Sequence, residues 1–354
     1  MDIPDVSSPA CDTLLGLSLI EGFTIANLRR LQKFVSAGRN FNGVKEGSRD
    51  SLYLRAYASL SSEEAKRGSD AVREACARSG VAILPFMSEE YPKALKVISD
   101  APLVLYRAGA PWRDGTSIAV VGSRAPTDPG ARFARLLAAD LAAAGCVVVS
   151  GMARGIDAAA HRGALSVGGK TVAVLGCGLD VVYPPEHVKL KEEITEKGTL
   201  FSEYPPGSTP IAHRFPARNR IVSGICRAVV VAEAPERSGA LITARLALEQ
   251  GRDVMAVPGS PWFAHTAGSN RLLREGAAPA CSAADVLEVL GVSTPANRGR
   301  LSARILDILD RERHAEELAS ALFVKMPELL ASLMELELAD LVVKRTGGYY
   351  KRKS

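Results

Sequence analysis

Aromatic residues are scarce in this chain: Phe, Trp and Tyr make up 5% of its 354 residues, and two of them are tryptophan. Hydrophobic residues still reach 47%, with many alanines and valines, the balance of an α/β protein with a sizeable core. No segment approaches the run of about 18 apolar residues that a spanning helix needs, so no membrane partner is expected. The opening residues, MDIPDVSSPA, have neither the basic nor the apolar part of a secretory signal, and a cytoplasmic protein is expected. The six cysteines (Cys11, Cys76, Cys146, Cys177, Cys226 and Cys281) form no CxxC pair, which excludes a zinc ribbon and a dithiol redox motif. Several sit in or beside apolar runs, as buried thiols of a reducing compartment do. A P-loop, a nucleophile elbow and GxGxxG with a ribose-binding acid are all missing, so no cofactor, metal or catalytic residue is assigned. Net charge is only +5, from 44 basic and 39 acidic residues, which is compatible with a nucleic-acid partner without requiring one.

What is present is a change of pattern along the chain. Residues 11–75 read as helical; Thr24 is placed to cap a helix with Ile25, Leu28, Leu31 and Val35 on one stripe, closed by Gly38. From Gly80 to about Gly291, short β-branched runs alternate with helical segments: VAIL (81–84), LVLY (103–106), SIAVVG (117–122), CVVVSG (146–151), TVAVLG (171–176), AVVVAEA (228–234) and DVMAVPG (253–259). Continuous apolar strands, each followed by a helix such as Asp128 to Ala144, predict a Rossmann-like, doubly wound, mainly parallel sheet buried on both faces. Its ligand site is expected at the carboxyl ends of the strands. Residues 292–300 are polar and read as a linker. Residues 301–354 read as three helices and a hairpin around Gly347-Gly348, the order of a winged helix.

Three strand ends carry anion-binding chemistry. Gly122-Ser123-Arg124 follows SIAVV, Ser150 to Asp157 (SGMARGID) follows the next strand, and Ser238-Gly239 opens a helix after the strand ending at Glu233. Each offers a small residue, a hydroxyl or guanidinium and free backbone N–H groups. Each alone fits an ordinary turn; three at one sheet edge fit a phosphate track. Asp157 and His161 share a helix face, and with no third ligand or nucleophile spaced to join them, a structural pair ordering the Arg154 loop is expected.

The segment His213–Arg227, HRFPARNRIVSGICR, holds four arginines in fifteen residues and no acid. Pro216 suits a first helical turn, and Ile221 and Ile225 anchor one face. Ser223 and Gly224 leave room for the backbone of a ligand, and Phe215 and the guanidinium planes offer stacking surfaces. The segment fits single-stranded nucleic acid; it also fits a solvated basic helix at a subunit edge.

Read in order, VAVVGSR (with Gly122, Ser123 and Arg124), SGMARGIDAAAH (150–161), TVAVLGCGLDVVYP (171–184), SEYPPG (202–207), FPARNRIVSG (215–224), the run from Val229 to Gly259 and GSNRLLREGA (268–277) resemble the DNA-processing protein A family, also called DprA or Smf. The resemblance implies a helical, SAM-like front domain (1–78), an extended Rossmann-like DNA-binding domain (79–291), the linker (292–300) and a winged-helix tail (301–354). It implies a non-enzymatic homodimer that binds and protects single-stranded DNA during natural transformation and loads RecA recombinase onto it. By motif match, the DNA contacts fall on Gly122, Ser123, Arg124, Arg154, Arg214, Phe215, Arg218 and Arg220. Asn219 orients the loop or bonds a phosphate, and Ser238, Gly239 and Asn270 are further candidates. The chain departs from its relatives at Pro185-Glu186-His187, and at Glu21-Gly22-Phe23, where a DNA-binding hairpin would prefer Gly-x-Gly.

Two other functions fit parts of the pattern. A nucleotide-binding hydrolase would cleave an N-glycosidic bond with Glu233 or Glu203, though no paired carboxylate stands beside either. A regulator would read duplex DNA with its winged helix. Against this, the segment PELLASLMELELADLV carries Glu328, Glu335, Glu337 and Asp340 and no basic residue, while Lys344, Arg345, Lys351, Arg352 and Lys353 fall on the wing and terminus. Such a helix is repelled by major-groove phosphates, so a protein contact or a wing-only clamp is expected of the tail.

Overall fold

The computed structural model describes residues 11–20, 23–36, 56, 62–292, 295–322, 324 and 326–353. Glu21, Gly22 and Gly38 lie outside them. The chain divides into two compact units, 1–283 and 284–354.

The first unit is built on a nine-stranded sheet. Its strands are β1 (Ala82–Pro85), β2 (Val104–Gly109), β3 (Ser117–Val121), β4 (Val147–Ser150), β5 (Thr171–Leu175), β6 (Thr199–Ser202), β7 (Ala228–Val231), β8 (Asp253–Ala256) and β9 (Ala278–Pro279). They lie in the order β1-β2-β6-β5-β4-β3-β7-β8-β9. The run from β6 to β9 is parallel, and β2 pairs antiparallel with both β1 and β6. Every residue of β3, β4, β5, β6 and β7 is buried, which is why these strands read as apolar runs broken only by a Ser or Thr at their ends rather than as alternating patterns. The chain winds from β3 through β4 and β5 to β6 on one side, then through β7 and β8 to β9 on the other. The topological switch therefore falls between β3 and β7, where a doubly wound sheet opens a crevice at its carboxyl edge.

Among the described residues, the front helices share the core of the sheet. Leu14, Leu15 and Leu17 of the Cys11–Ser18 helix, and Leu28 and Leu31 of the Ile25–Ser36 helix, join Leu84, Leu103 and Leu105 in one continuous core. The start of the second helix is also tied to the sheet unit, since Ile25 N–H donates to the Ala101 carbonyl at 3.0 Å. Its cap reverses the expected direction: Asn27 Oδ1 accepts from the Thr24 N–H at 3.0 Å and from Thr24 Oγ1 at 2.8 Å.

The second unit follows the expected order of helices and strands. The Pro295–Ile308 helix begins inside the stretch expected as a linker, consistent with proline's fit to a first helical turn. The Ala315–Leu322 and Met326–Leu338 helices come next. β12 (Tyr349–Arg352) pairs antiparallel with both β10 (Arg313–His314) and β11 (Val342–Lys344). Gly347 and Gly348 turn the β11–β12 hairpin at φ of 79° and 83°, values that favour glycine. Among the described residues, no helix is long and apolar enough to cross a membrane.

Candidate nucleic-acid interface

The switch point is open. A cleft of about 390 Å³ lies there, walled by the loop after β3 (Gly122 to Ala125), the loop after β4 (Gly151, Ala153), the loop after β7 (Pro235 to Ser238) and the Arg214–Ile225 helix (Phe215, Arg218, Asn219). The loops are braced against one another: Ser123 N–H donates to the Glu233 carbonyl at 2.7 Å, and Ala232 N–H to Val121 at 2.9 Å. Gly122 is required for this brace, because a Cβ there would stand 2.7 Å from the Glu233 carbonyl oxygen. The Gly239–Glu249 helix starts at the cleft, with Ser238 Oγ accepting from the Ala240 N–H at 3.2 Å. Its positive end and remaining N–H groups favour an anion.

Arg218 forms the floor. Its side chain is buried, and Nη1 donates to the carbonyls of Gly151, at 2.7 Å, and Val174. Gly151 must lack a side chain, because a Cβ there would lie 2.5 Å from Nη2. Burial pulls the Arg218 pKa down, and the charge of Asp157 opposes that. Burial likewise raises the Asp157 pKa against the opposing charge of Arg218. Asp157 Oδ2 accepts the N–H groups of Gly151 at 3.1 Å and Ala153 at 3.3 Å, so this carboxylate orders the loop as expected. His161 is not its partner: the ring Nδ1 meets Thr171 Oγ1 at 2.7 Å, one turn deeper in the core. Between Gly151 and Ala153, Met152 holds a φ of 55°, a conformation that few residues with a side chain adopt.

The structure sorts the expected contact residues into separate groups. Gly122, Ser123, Arg124, Phe215, Arg218, Asn219, Ser238 and Gly239 share the cleft. Arg124 is exposed, and its guanidinium stands 5.7 Å from the Phe215 ring, which stacks on Tyr183 at 5.1 Å. Asn219 Oδ1 accepts from Arg218 Nε at 3.2 Å, and its Nδ2 donates to the Gly239 carbonyl at 3.4 Å. Arg154 borders a smaller neighbouring hollow beside Arg124 and Phe215, and Glu186 grips it with both carboxylate oxygens, one at 3.1 Å from Nη2. Arg214 lies outside the cleft, its guanidinium 4.5 Å from the Tyr204 ring.

Two expected contacts are structural instead. Arg220 is buried in ion pairs, with Nη2 2.6 Å from Glu203 Oε1 and Nε 3.2 Å from Asp100 Oδ2, and it does not line the cleft. Asn270 exchanges two hydrogen bonds with the backbone of Gly259, at 3.1 and 2.9 Å. The small residues of the arginine helix also serve packing rather than ligand approach, since a Cβ on Gly224 would fall 2.8 Å from Leu95 Cδ1. The cation that sequence reasoning missed is Arg237, exposed at the cleft one residue before the helix-capping Ser238. Its position within APERSGA, immediately before an anion-ready helix start, was the available signal.

Both carboxylates considered for glycosidic cleavage are engaged elsewhere. Glu203 holds Arg220, and the buried Glu233 accepts from the Thr127 N–H at 2.9 Å and from Thr127 Oγ1 at 2.5 Å. Neither lines the cleft.

The sequence profile of DNA recombination-mediator protein A matches residues 82–291, the span that builds both the sheet and the cleft. The chain belongs to this family. Protein Smf of Synechocystis is 44% identical over 216 residues, 60% of this chain and 54% of that protein, so the chain spans little more than half of that relative's length. DNA processing protein DprA of Streptococcus pneumoniae is 47% identical over 198 residues, 56% of this chain and 70% of the relative. The crystal structure of the pneumococcal DprA superposes with a TM-score of 0.65 at 33% identity, covering 79% of this chain and 98% of that one. A structure of DNA processing protein A from Helicobacter pylori, described for its single-stranded DNA binding mode, gives 0.52 at 31% identity, covering 59% of this chain and 95% of that one.

Proposed function

We propose that this chain binds single-stranded DNA at the carboxyl edge of its sheet, without strong sequence preference and without chemical change to the strand. Two exposed guanidinium groups, Arg124 and Arg237, stand at the mouth of a cleft with a third, Arg218, in its floor and helix N–H groups on its wall. That observation carries the reading. Phosphates take the guanidinium and amide donors, and Phe215 meets a base or a sugar. Phosphate contacts carry no base information, so the sequence bias is slight. The single-strand binding described for the Helicobacter pylori relative supports the same assignment. In a cytoplasmic homodimer paired through the central domains, two clefts extend one track, and the bound strand is protected and passed to RecA recombinase during natural transformation.

The C-terminal unit, a winged helix in this reading, contributes little to strand affinity. Its Met326–Leu338 helix shows solvent the apolar side chains of Leu330, Met334 and Leu338 and no basic residue, a surface unsuited to phosphates.

Filter binding of an oligo-dT and a duplex of equal length tests the assignment. The single strand is expected to bind at least tenfold more tightly, and Arg124→Ala combined with Arg237→Ala to weaken every single-stranded sequence alike. Equal retention of the duplex, or a double variant that binds like the parent, removes the proposal.

A further inference from the structure

The two tryptophans of the chain occupy opposite environments. Trp112 is 9% exposed, packs on Phe201 at 5.9 Å and donates from Nε1 to Asp114 Oδ1 at 2.9 Å. Trp262 is 90% exposed and its neighbour Phe263 62%. Aromatic side chains of this size are mostly buried, so an adjacent pair left in water calls for an occupant.

The segment that carries them is pinned. Asn270 clasps Gly259 through two hydrogen bonds, Thr266 Oγ1 donates to the Ser260 carbonyl at 2.8 Å, and the N–H groups of Phe263 and Thr266 donate to Ser260 and Phe263 at 3.2 and 3.1 Å. A clasped turn leaves the backbone beneath the rings little freedom to lose on binding.

Its position continues the cleft. The turn leaves the carboxyl end of β8, the neighbour of β7, and leads into the Ala267–Arg274 helix. That helix opens by donating the N–H groups of Gly268 and Ser269 to the Ala234 carbonyl, at 2.8 and 3.2 Å. Ala234 adjoins Pro235, the first residue of the β7 loop that walls the cleft.

We propose that Trp262 and Phe263 are a stacking platform for unpaired nucleobases of the strand whose phosphates occupy the cleft. The inference rests on the proposed single-strand binding. A base is the fitting occupant because the platform is aromatic and narrow: from Gly259 to Ser269 there is no leucine, isoleucine, valine or methionine to widen it into a protein contact. Every base has a π-face, so stacking here keeps the sequence neutrality of the phosphate contacts.

Trp262 supplies its own readout, because the other indole is buried. The full-length protein is titrated with oligo-dT and with an abasic oligomer of the same length, following binding by anisotropy of a labelled strand and stacking by tryptophan emission. Oligo-dT is expected to quench the emission, and the abasic strand to bind without quenching. Trp262→Ala is expected to lower oligo-dT affinity about tenfold, to leave the abasic strand within about twofold, and to be rescued by Trp262→Phe. If Trp262→Ala binds oligo-dT like the parent while Arg124→Ala binds more weakly, the platform is refuted and the cleft assignment stands. If the parent binds neither strand, the cleft assignment falls and the platform with it. If Trp262→Ala lowers both strands equally and turns a dimer into a monomer by light scattering, the rings join two copies of the chain, which also refutes the platform.

Discussion

At the scale of single residues, burial separates arginines that look alike in the sequence. Arg220 and Arg218 lie on the same short helix as Phe215, yet one is locked to Glu203 and Asp100 and the other to backbone carbonyls. Removing one member of a buried ion pair typically costs about 3–5 kcal/mol. Arg220→Ala is therefore expected to lower the urea midpoint sharply, while Arg124→Ala leaves the midpoint unchanged and weakens binding. Glu186 gives a second residue-scale test. Hydrogen bonding to Arg154 is the largest cause holding its carboxyl down to about 2, so it competes as an anion with any phosphate approaching Arg154. Glu186→Gln is expected to raise oligo-dT affinity a few-fold with no loss of stability, because exposed pairs contribute little. His161 sets an acid limit on stability. Burial first, then the electrostatic influence of nearby His187, Arg218 and Arg162, holds its pKa down to about 3 from 6.5. The unfolded chain takes up this proton below its ordinary pKa, and the folded chain does not until far lower pH. Stability present above the ordinary value is thus lost as pH falls from there toward about 3, amounting to about 2 kcal/mol near pH 5. The fall in urea midpoint between about pH 7.5 and 5 should be clearly smaller in His161→Gln; an equal fall would mean that His161 does not set it.

At the scale of elements, the sequence was most legible where pattern and burial agree. The apolar runs of β3, β4, β5, β7 and β8 and the Gly347-Gly348 hairpin fall where period and glycine place them. β6 and β9 escaped: TLFS offers four residues straight after the Gly198 helix end, and Ala278-Pro279 offers two. Neither is long enough to show a period. The front helices show apolar stripes, but nothing local reveals that the Cys11–Ser18 helix packs on β1, more than 50 residues away. The same limit hid the fate of Arg220, whose partners come from two other segments. At the tail, the acidic and apolar Met326–Leu338 helix predicts that ending the chain after Val292, ahead of the Pro295–Ile308 helix, keeps oligo-dT affinity within a few-fold. A loss above tenfold would assign strand contacts to the basic residues of the β11–β12 hairpin.

At the scale of the whole molecule, topology sets the site. Reversal of strand order between β3 and β7 opens the sheet edge, and the loops after both strands bring backbone donors and guanidinium groups to that opening. The cationic track is narrower than the sequence implied, since three of the expected arginines are engaged elsewhere: Arg220 and Arg154 with carboxylates, and Arg214 against Tyr204. Most of the ionic contact therefore falls on Arg124 and Arg237, and the salt dependence should be shallower than that of a furrow lined by every motif arginine. The most direct measurement is the salt dependence of oligo-dT affinity for the parent and for Arg124→Ala combined with Arg237→Ala. For single strands each neutralised phosphate contributes a slope of about −0.7 in log K against log salt. The double variant should be weaker at every salt concentration and shallower in slope by about 1.4; an unchanged affinity and slope would contradict the account.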